Sequence, residues 1–132
     1  MLAVDTNVVV RYLAADHPDQ SERARVLMTG QEVWVPTTVL LEAEWVLRRA
    51  YRFGPAEIGN AFRQLAGMPM VAVEDPELLF HALEVFAAGM DMADALHYAS
   101  ASAREGCQGF ATFDEALIRS AASAGALPVV RP

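Results

Sequence analysis

Residues 1–10 read MLAVDTNVVV, and the reading of this stretch decides the fold. Leu2-Ala3-Val4 is an apolar run too short for a helix, and it reads as a buried parallel strand. The run ends on Asp5. Asp-Thr-Asn supplies turn and N-cap chemistry, so a helix begins just after it. A carboxylate at the carboxyl end of an early strand stands where open α/β sheets place their ligands. Asp5 therefore starts a candidate acidic site that later parts of the chain complete.

Outward from this stretch, helix and strand signals alternate. The helix after Asp5 runs over 7–15, with Val8, Val9, Tyr12 and Leu13 on its buried side, until Asp16-His17-Pro18 breaks it. A second helix covers 19–28 and closes at Thr29-Gly30. Residues 32–35 form a strand stopped by Pro36, and Thr37 or Thr38 can cap a helix reaching about Arg52. At about 100° per residue, Val39, Ala43, Val46, Leu47 and Ala50 share one face of that helix. Glu42 lies on the flank of this face and is the acid expected to be partly buried. Glu44 points away from it and is expected to form a solvated i,i+4 pair with Arg48.

Gly54-Pro55 starts a further helix with proline at its first position, striped by Ile58, Phe62 and Leu65. A strand at 70–73 and a helix from Asp75-Pro76 to Gly89 follow, then a helix over 91–105 closed by Gly106. A strand over 109–112, a helix over 114–124 and a strand over 127–130 finish the chain. Alternation of this kind predicts a mainly parallel sheet with helices on both faces and right-handed crossovers.

The length of 132 residues and a 54% hydrophobic composition suit one folded domain over 1–132. No apolar run reaches the ~20 residues of a membrane span, and no signal-peptide pattern opens the chain. A single cysteine, Cys107, fits a reducing compartment, and a cytoplasmic location is expected. The net charge is −7, from 17 acids against 10 bases, and every base is arginine. Such a balance argues against a protein that simply coats nucleic acid, because neutralising phosphates drives that binding. It leaves room for an enzyme that grips phosphates through metal ions, and for a basic partner.

Four acids stand at related positions. Asp5 ends the first strand, Asp114 follows the strand GFAT, Asp94 sits in the first turn of the helix MADALHYASA, and Glu42 flanks a buried helix face. Strand ends and the helix starts after them share one edge of a parallel sheet. Carboxylates gathered there raise each other's pKa unless a cation compensates them. An all-oxygen set suits Mg²⁺ or Mn²⁺ rather than Zn²⁺. His17, His81 and His97 show no zinc-like spacing with each other or with Cys107, and His97 lies three residues after Asp94 on one helix. An acidic metal site of this kind performs phosphoryl chemistry. Nucleophile-elbow, Walker and Rossmann patterns are absent from the sequence. Each acid also has a structural reading: Asp5 and Asp114 as N-caps, Asp91 with Asp94 as a capping pair, and Glu42 as a solvated helix acid.

These segments resemble the PIN-domain nucleases, and within them the VapC-type toxins of toxin–antitoxin pairs. LAVDTNVVVRYL resembles the family's first motif, VPTTVLLEAEWVLRRAY the segment with its helical glutamate, DMADALHYASA the third motif, and GFATFDEAL the fourth. The resemblance implies a three-layer α/β/α sandwich with a mainly parallel central sheet. It also implies a Mg²⁺- or Mn²⁺-dependent endoribonuclease, a homodimer, and a small antitoxin that blocks the site, for which an arginine is the expected plug. Carried over by motif, Asp5, Glu42, Asp94 and Asp114 match the metal-binding acids, with Asp5 and Asp94 as direct ligands. Glu42 and Asp114 stay open between direct ligation, ligation through water and positioning of the attacking water. Asn7 and Thr112 match supporting polar residues, and Asp91 is a further acid. Arg11, Arg48, Arg49 and Arg52 are candidates for gripping RNA. Two other readings remain at this stage: a catalytically silent interaction module of the same fold, and a nuclease or phosphatase acting on another phosphoester.

Overall fold

The computed structural model describes residues 1–124 and 127–132. It divides into two compact units, residues 1–76 and 77–132.

The first unit begins with β1 (Leu2–Ala3), α1 (Thr6–Ala14), α2 (Pro18–Gly30) and β2 (Val33–Val35). It continues through α3 (Thr37–Arg49), α4 (Pro55–Ala66) and β3 (Val71–Val73). The strands form a parallel sheet in the order β1-β2-β3, with Leu2 opposite Val33 and Val33 opposite Val71. Parallel strands need a crossover between them, and the helices supply it. Val33 and Val35 are fully buried on the middle strand, together with Val9, Ala43, Leu47, Ile58 and Phe62 on the helices. β1 departs from expectation. Leu2 is 49% exposed, and the residue the stretch buries is Val4, at 5%. The strand is two residues long and is hydrogen-bonded along one side, to β2.

Local chemistry sets the ends of these helices. α1 stops at Ala15, which turns into the left-handed region at φ 51° and returns its N–H to the Arg11 carbonyl at 3.2 Å. His17 then caps α2: its Nδ1 accepts the Gln20 N–H at 3.0 Å, while its own N–H donates to Ser21 Oγ at 3.2 Å. Pro18 takes the first helical position, where its missing N–H costs nothing. α3 has no cap from Thr37 or Thr38. Its first N–H, on Thr37, donates to Glu74 Oε1 at 3.0 Å, a residue from the end of β3.

α3 is also turned relative to the expected face. Its buried residues are Leu40, Ala43, Glu44 and Leu47, an unbroken i, i+3, i+4, i+7 stripe, whereas Ala50 is exposed. Glu44 is therefore the buried acid, at 2% exposure, and Glu42 is exposed. The Arg48 Nε donates to Glu44 Oε1 at 2.8 Å, so the pair expected in solvent has its carboxylate under the helix. A neighbouring guanidinium is what makes burial of that charge tolerable.

The second unit holds α5 (Pro76–Ala87), α6 (Met92–Ala103), β4 (Phe110–Ala111), α7 (Glu115–Ala124) and β5 (Val129–Val130). β4 and β5 pair in parallel, Phe110 opposite Val129. Gly89 and Gly106 close α5 and α6 at φ 111° and 84°, where a side chain would be strained. Tyr98 fastens α6 to the strand side of the unit. Its ring is fully buried and lies 6.0 Å from the Phe110 ring. Its hydroxyl both donates to the Leu127 carbonyl and accepts the Leu127 N–H, each at 2.8 Å. Asp94 is one helical turn before Tyr98, so this anchor also sets where Asp94 stands.

The architecture is mixed α/β with parallel strand pairing throughout, and no described helix is long and apolar enough to cross a membrane.

Candidate active site

The first unit holds Asp5, Asn7 and Glu42, and Thr6 joins two of them. Asp5 caps α1: its Oδ1 accepts the Thr6 N–H at 2.7 Å. The Thr6 side chain is buried, at 5% exposure, and its hydroxyl donates to Glu42 Oε1. One residue thus spans two carboxylates, one from the end of β1 and one from α3. Asn7, expected to be a supporting hydrogen-bonder, is exposed on a pocket of about 350 Å³. Arg11, Gln20, Arg23 and Leu27 also line that pocket. A wider cleft of about 530 Å³ between α1, α2 and α4 has none of the candidate acids in its lining.

The second unit holds Asp91, Asp94, Thr112 and Asp114. Asp91 is the N-cap of α6, its Oδ2 accepting the Ala93 N–H at 3.1 Å. Asp94 lies half-buried in the first turn. Partial burial pushes its carboxyl above the ordinary value of 3.8, and the negative charges of Asp91 and Asp114 push it further, while His97 pulls the other way. A first-turn position by itself favours the charged form, so desolvation and repulsion act against the helix dipole here. Asp114 caps α7 through Oδ1, which accepts the N–H groups of Ala116 at 2.8 Å and Leu117 at 3.2 Å. Thr112 braces this turn: its Oγ1 accepts the Asp114 N–H at 3.0 Å, and its own N–H donates to the Val130 carbonyl at 3.0 Å.

The structure therefore brings Asp5 and Glu42 onto one threonine, and Asp94 into the field of Asp91 and Asp114. In donor chemistry these residues fit a hard divalent cation, since every candidate offers carboxylate oxygen and Asp94 carries a repulsion that a cation would relieve. As they are placed, no group of three or more His, Cys, Asp or Glu among the described residues is gathered closely enough to hold a metal ion.

Of the four arginines put forward for RNA, Arg11 and Arg48 are hydrogen-bonded to other side chains. Arg11 reaches Tyr51 Oη at 3.0 Å, Gln20 Oε1 at 2.8 Å and Asp16 at 3.6 Å. Burial, then the Asp16 carboxylate, pushes the Tyr51 phenol up, which keeps it protonated. Arg48 holds Glu44. The Arg49 guanidinium lies 5.7 Å from the centre of the exposed Trp45 ring, and Arg52 is exposed with a left-handed backbone at φ 58°.

The sequence profile of the PIN domain matches residues 2–122. The chain belongs to the PIN-domain family. PIN domains are in general metal-dependent nucleases, so a nuclease-type function is the coarse assignment for this PIN domain, and its parallel α/β fold agrees with it. No curated protein matches the chain. The residue that the sequence reading of this PIN domain passed over is Thr6. It was legible as part of a turn, but nothing local shows that its hydroxyl reaches a carboxylate 36 residues away.

Proposed function

We propose that this PIN domain is a metal-dependent endoribonuclease that acts as the toxin of a toxin–antitoxin pair. The observation that carries the reading is the Asp94 carboxylate, held half-buried against two like charges in a family of metal-dependent nucleases. Like-charged carboxylates persist where binding a cation repays the repulsion. The chemistry that Mg²⁺ or Mn²⁺ supplies when bound is a water acidified to a nucleophile and a stabilised leaving oxygen.

The chain's own residues would divide the remaining work. In this proposal Asp5 and Asp94 would hold the ion directly, and Glu42 and Asp114 would hold it directly or through water, or would align the attacking water. Thr6 fixes the Glu42 rotamer, and Thr112 fixes the turn that presents Asp114. Asp91 caps α6, and its charge adds to the burial that raises Asp94. A small antitoxin with a basic segment suits the acids, because a guanidinium pairs with carboxylates bidentately. Homodimerisation is part of the same proposal.

Thr6→Val separates support from packing. It keeps shape and the backbone donor and removes only the hydroxyl. Stability is expected to fall by about 1 kcal/mol or less, because exposed Glu42 regains water. Turnover on RNA is expected to fall about 10- to 100-fold, the range for a group that orients a ligand. Thermal unfolding beside single-turnover cleavage reads both.

Expression of the chain alone in a bacterial host tests the toxin role. Growth arrest is expected, with Asp5→Asn abolishing it at equal soluble expression. Unimpeded growth with the wild-type protein present and soluble would overturn that role.

A further inference from the structure

We propose that Phe113 is a stacking platform for an unpaired base of the RNA substrate, placed beside Asp114. The inference rests on the ribonuclease reading and deepens it by naming how the substrate is held.

Phe113 is 81% exposed, more than any other large apolar side chain among the described residues. A single exposed apolar residue is ordinary. Phe113 differs in how its backbone is held. On one side the Thr112 N–H is tied to the Val130 carbonyl at 3.0 Å. On the other, the Asp114 N–H is tied to Thr112 Oγ1 at 3.0 Å, and Asp114 Oδ1 takes two N–H groups of α7. These bonds hold the backbone on either side of Phe113, and with it the direction of the Phe113 Cα–Cβ bond. The ring thus stands in solvent before any ligand arrives, and with only two side-chain torsions it loses little freedom on stacking.

The surrounding charge explains why a stacking contact is needed. Asp114 follows Phe113 in the chain, and its charge reaches Asp94. The nearby Arg131 is paired with Glu115 through two contacts, at 2.7 and 2.9 Å. The whole chain carries −7. Phosphate neutralisation, the usual source of nucleic-acid affinity, is therefore weak on this side. Base–aromatic stacking requires no charge and tolerates any base. It requires a base with a free face, so the site selects single strands over duplex.

The experiment compares wild type, Phe113→Ala and Phe113→Trp on a single-stranded RNA and on the same sequence as duplex. Phe113→Ala is expected to raise KM about 5- to 100-fold, with kcat changed by about twofold or less. Phe113→Trp is expected to restore KM, and its fluorescence above the Trp34 and Trp45 background is expected to be quenched by the single strand and not by the duplex. An unchanged KM in Phe113→Ala, or equal impairment in both variants, would overturn the proposal. So would a change of oligomeric state in Phe113→Ala, which would assign the ring to a protein contact. If wild type cleaves no RNA, the ribonuclease reading fails on its own. The fluorescence arm then still decides the stacking: quenching by the single strand sustains it and no quenching rejects it.

Discussion

Asp94→Asn is expected to give a protein that is more stable than wild type at pH 7 and at least about a hundredfold less active on RNA. The activity loss follows from its proposed place as a direct ligand, which exceeds the ~10- to 100-fold cost of losing a merely orienting group. The gain in stability follows from the raised carboxyl. Partial burial, then Asp91 and Asp114, make the folded protein hold the Asp94 proton to higher pH than the unfolded chain does. Stability is therefore lost as pH rises from the ordinary aspartate value of 3.8 through the raised folded value, and the loss persists above it. Asparagine removes that loss. Melting curves should show the variant ahead at pH 7, with the gap closing on acidification and gone below the ordinary value. A variant less stable than wild type at pH 7 would mean that the Asp94 charge is supported rather than strained. Exchange of stability for activity is common where function needs like charges together.

The second large effect concerns Glu44. Arg48→Met is expected to destabilise the protein by ~1–3 kcal/mol, because it leaves a carboxylate at 2% exposure without the Nε that now bonds it. The value falls short of the ~3–5 kcal/mol of a wholly buried pair because the Arg48 side chain is 40% exposed and solvent screens part of the interaction. Glu44→Leu with Arg48→Met should return to within ~1 kcal/mol of wild type, since an apolar residue suits the stripe of Leu40, Ala43 and Leu47. Denaturant unfolding of the single and double variants closes the cycle. Additive losses would show that the two side chains are not coupled.

That stripe marks a limit of reading α3 from its residues. Leu40, Ala43 and Leu47 lie at helical spacing, yet a wheel that treats every acid as water-seeking turns the helix until Glu44 faces out. The i,i+4 arginine is what permits the other answer, and its value depends on packing against α1 and α4 that the residues alone do not display. Elsewhere local chemistry was sufficient. Asp5 before a helix, Pro55 at a first turn, and Gly89 and Gly106 past helix ends each define a boundary through one residue's own geometry. Contacts distant in sequence were not legible. Glu74 capping α3, Thr6 bonding Glu42 and Tyr98 clasping Leu127 join residues about 30 to 40 positions apart. The candidate acids were recognised by type and motif. Their hydrogen-bond partners, and the solvent-exposed ring of Phe113, came only with the fold.

The central claim is that these acids work through a divalent ion on RNA. Single-turnover cleavage of one end-labelled single-stranded RNA tests it, run with Mn²⁺, with Mg²⁺, and with chelator. Cleavage is expected with either ion, lost in chelator, restored by adding the ion back, and at least about a hundredfold slower in Asp94→Asn. Equal cleavage in all conditions, or an Asp94→Asn protein as fast as wild type, would contradict it.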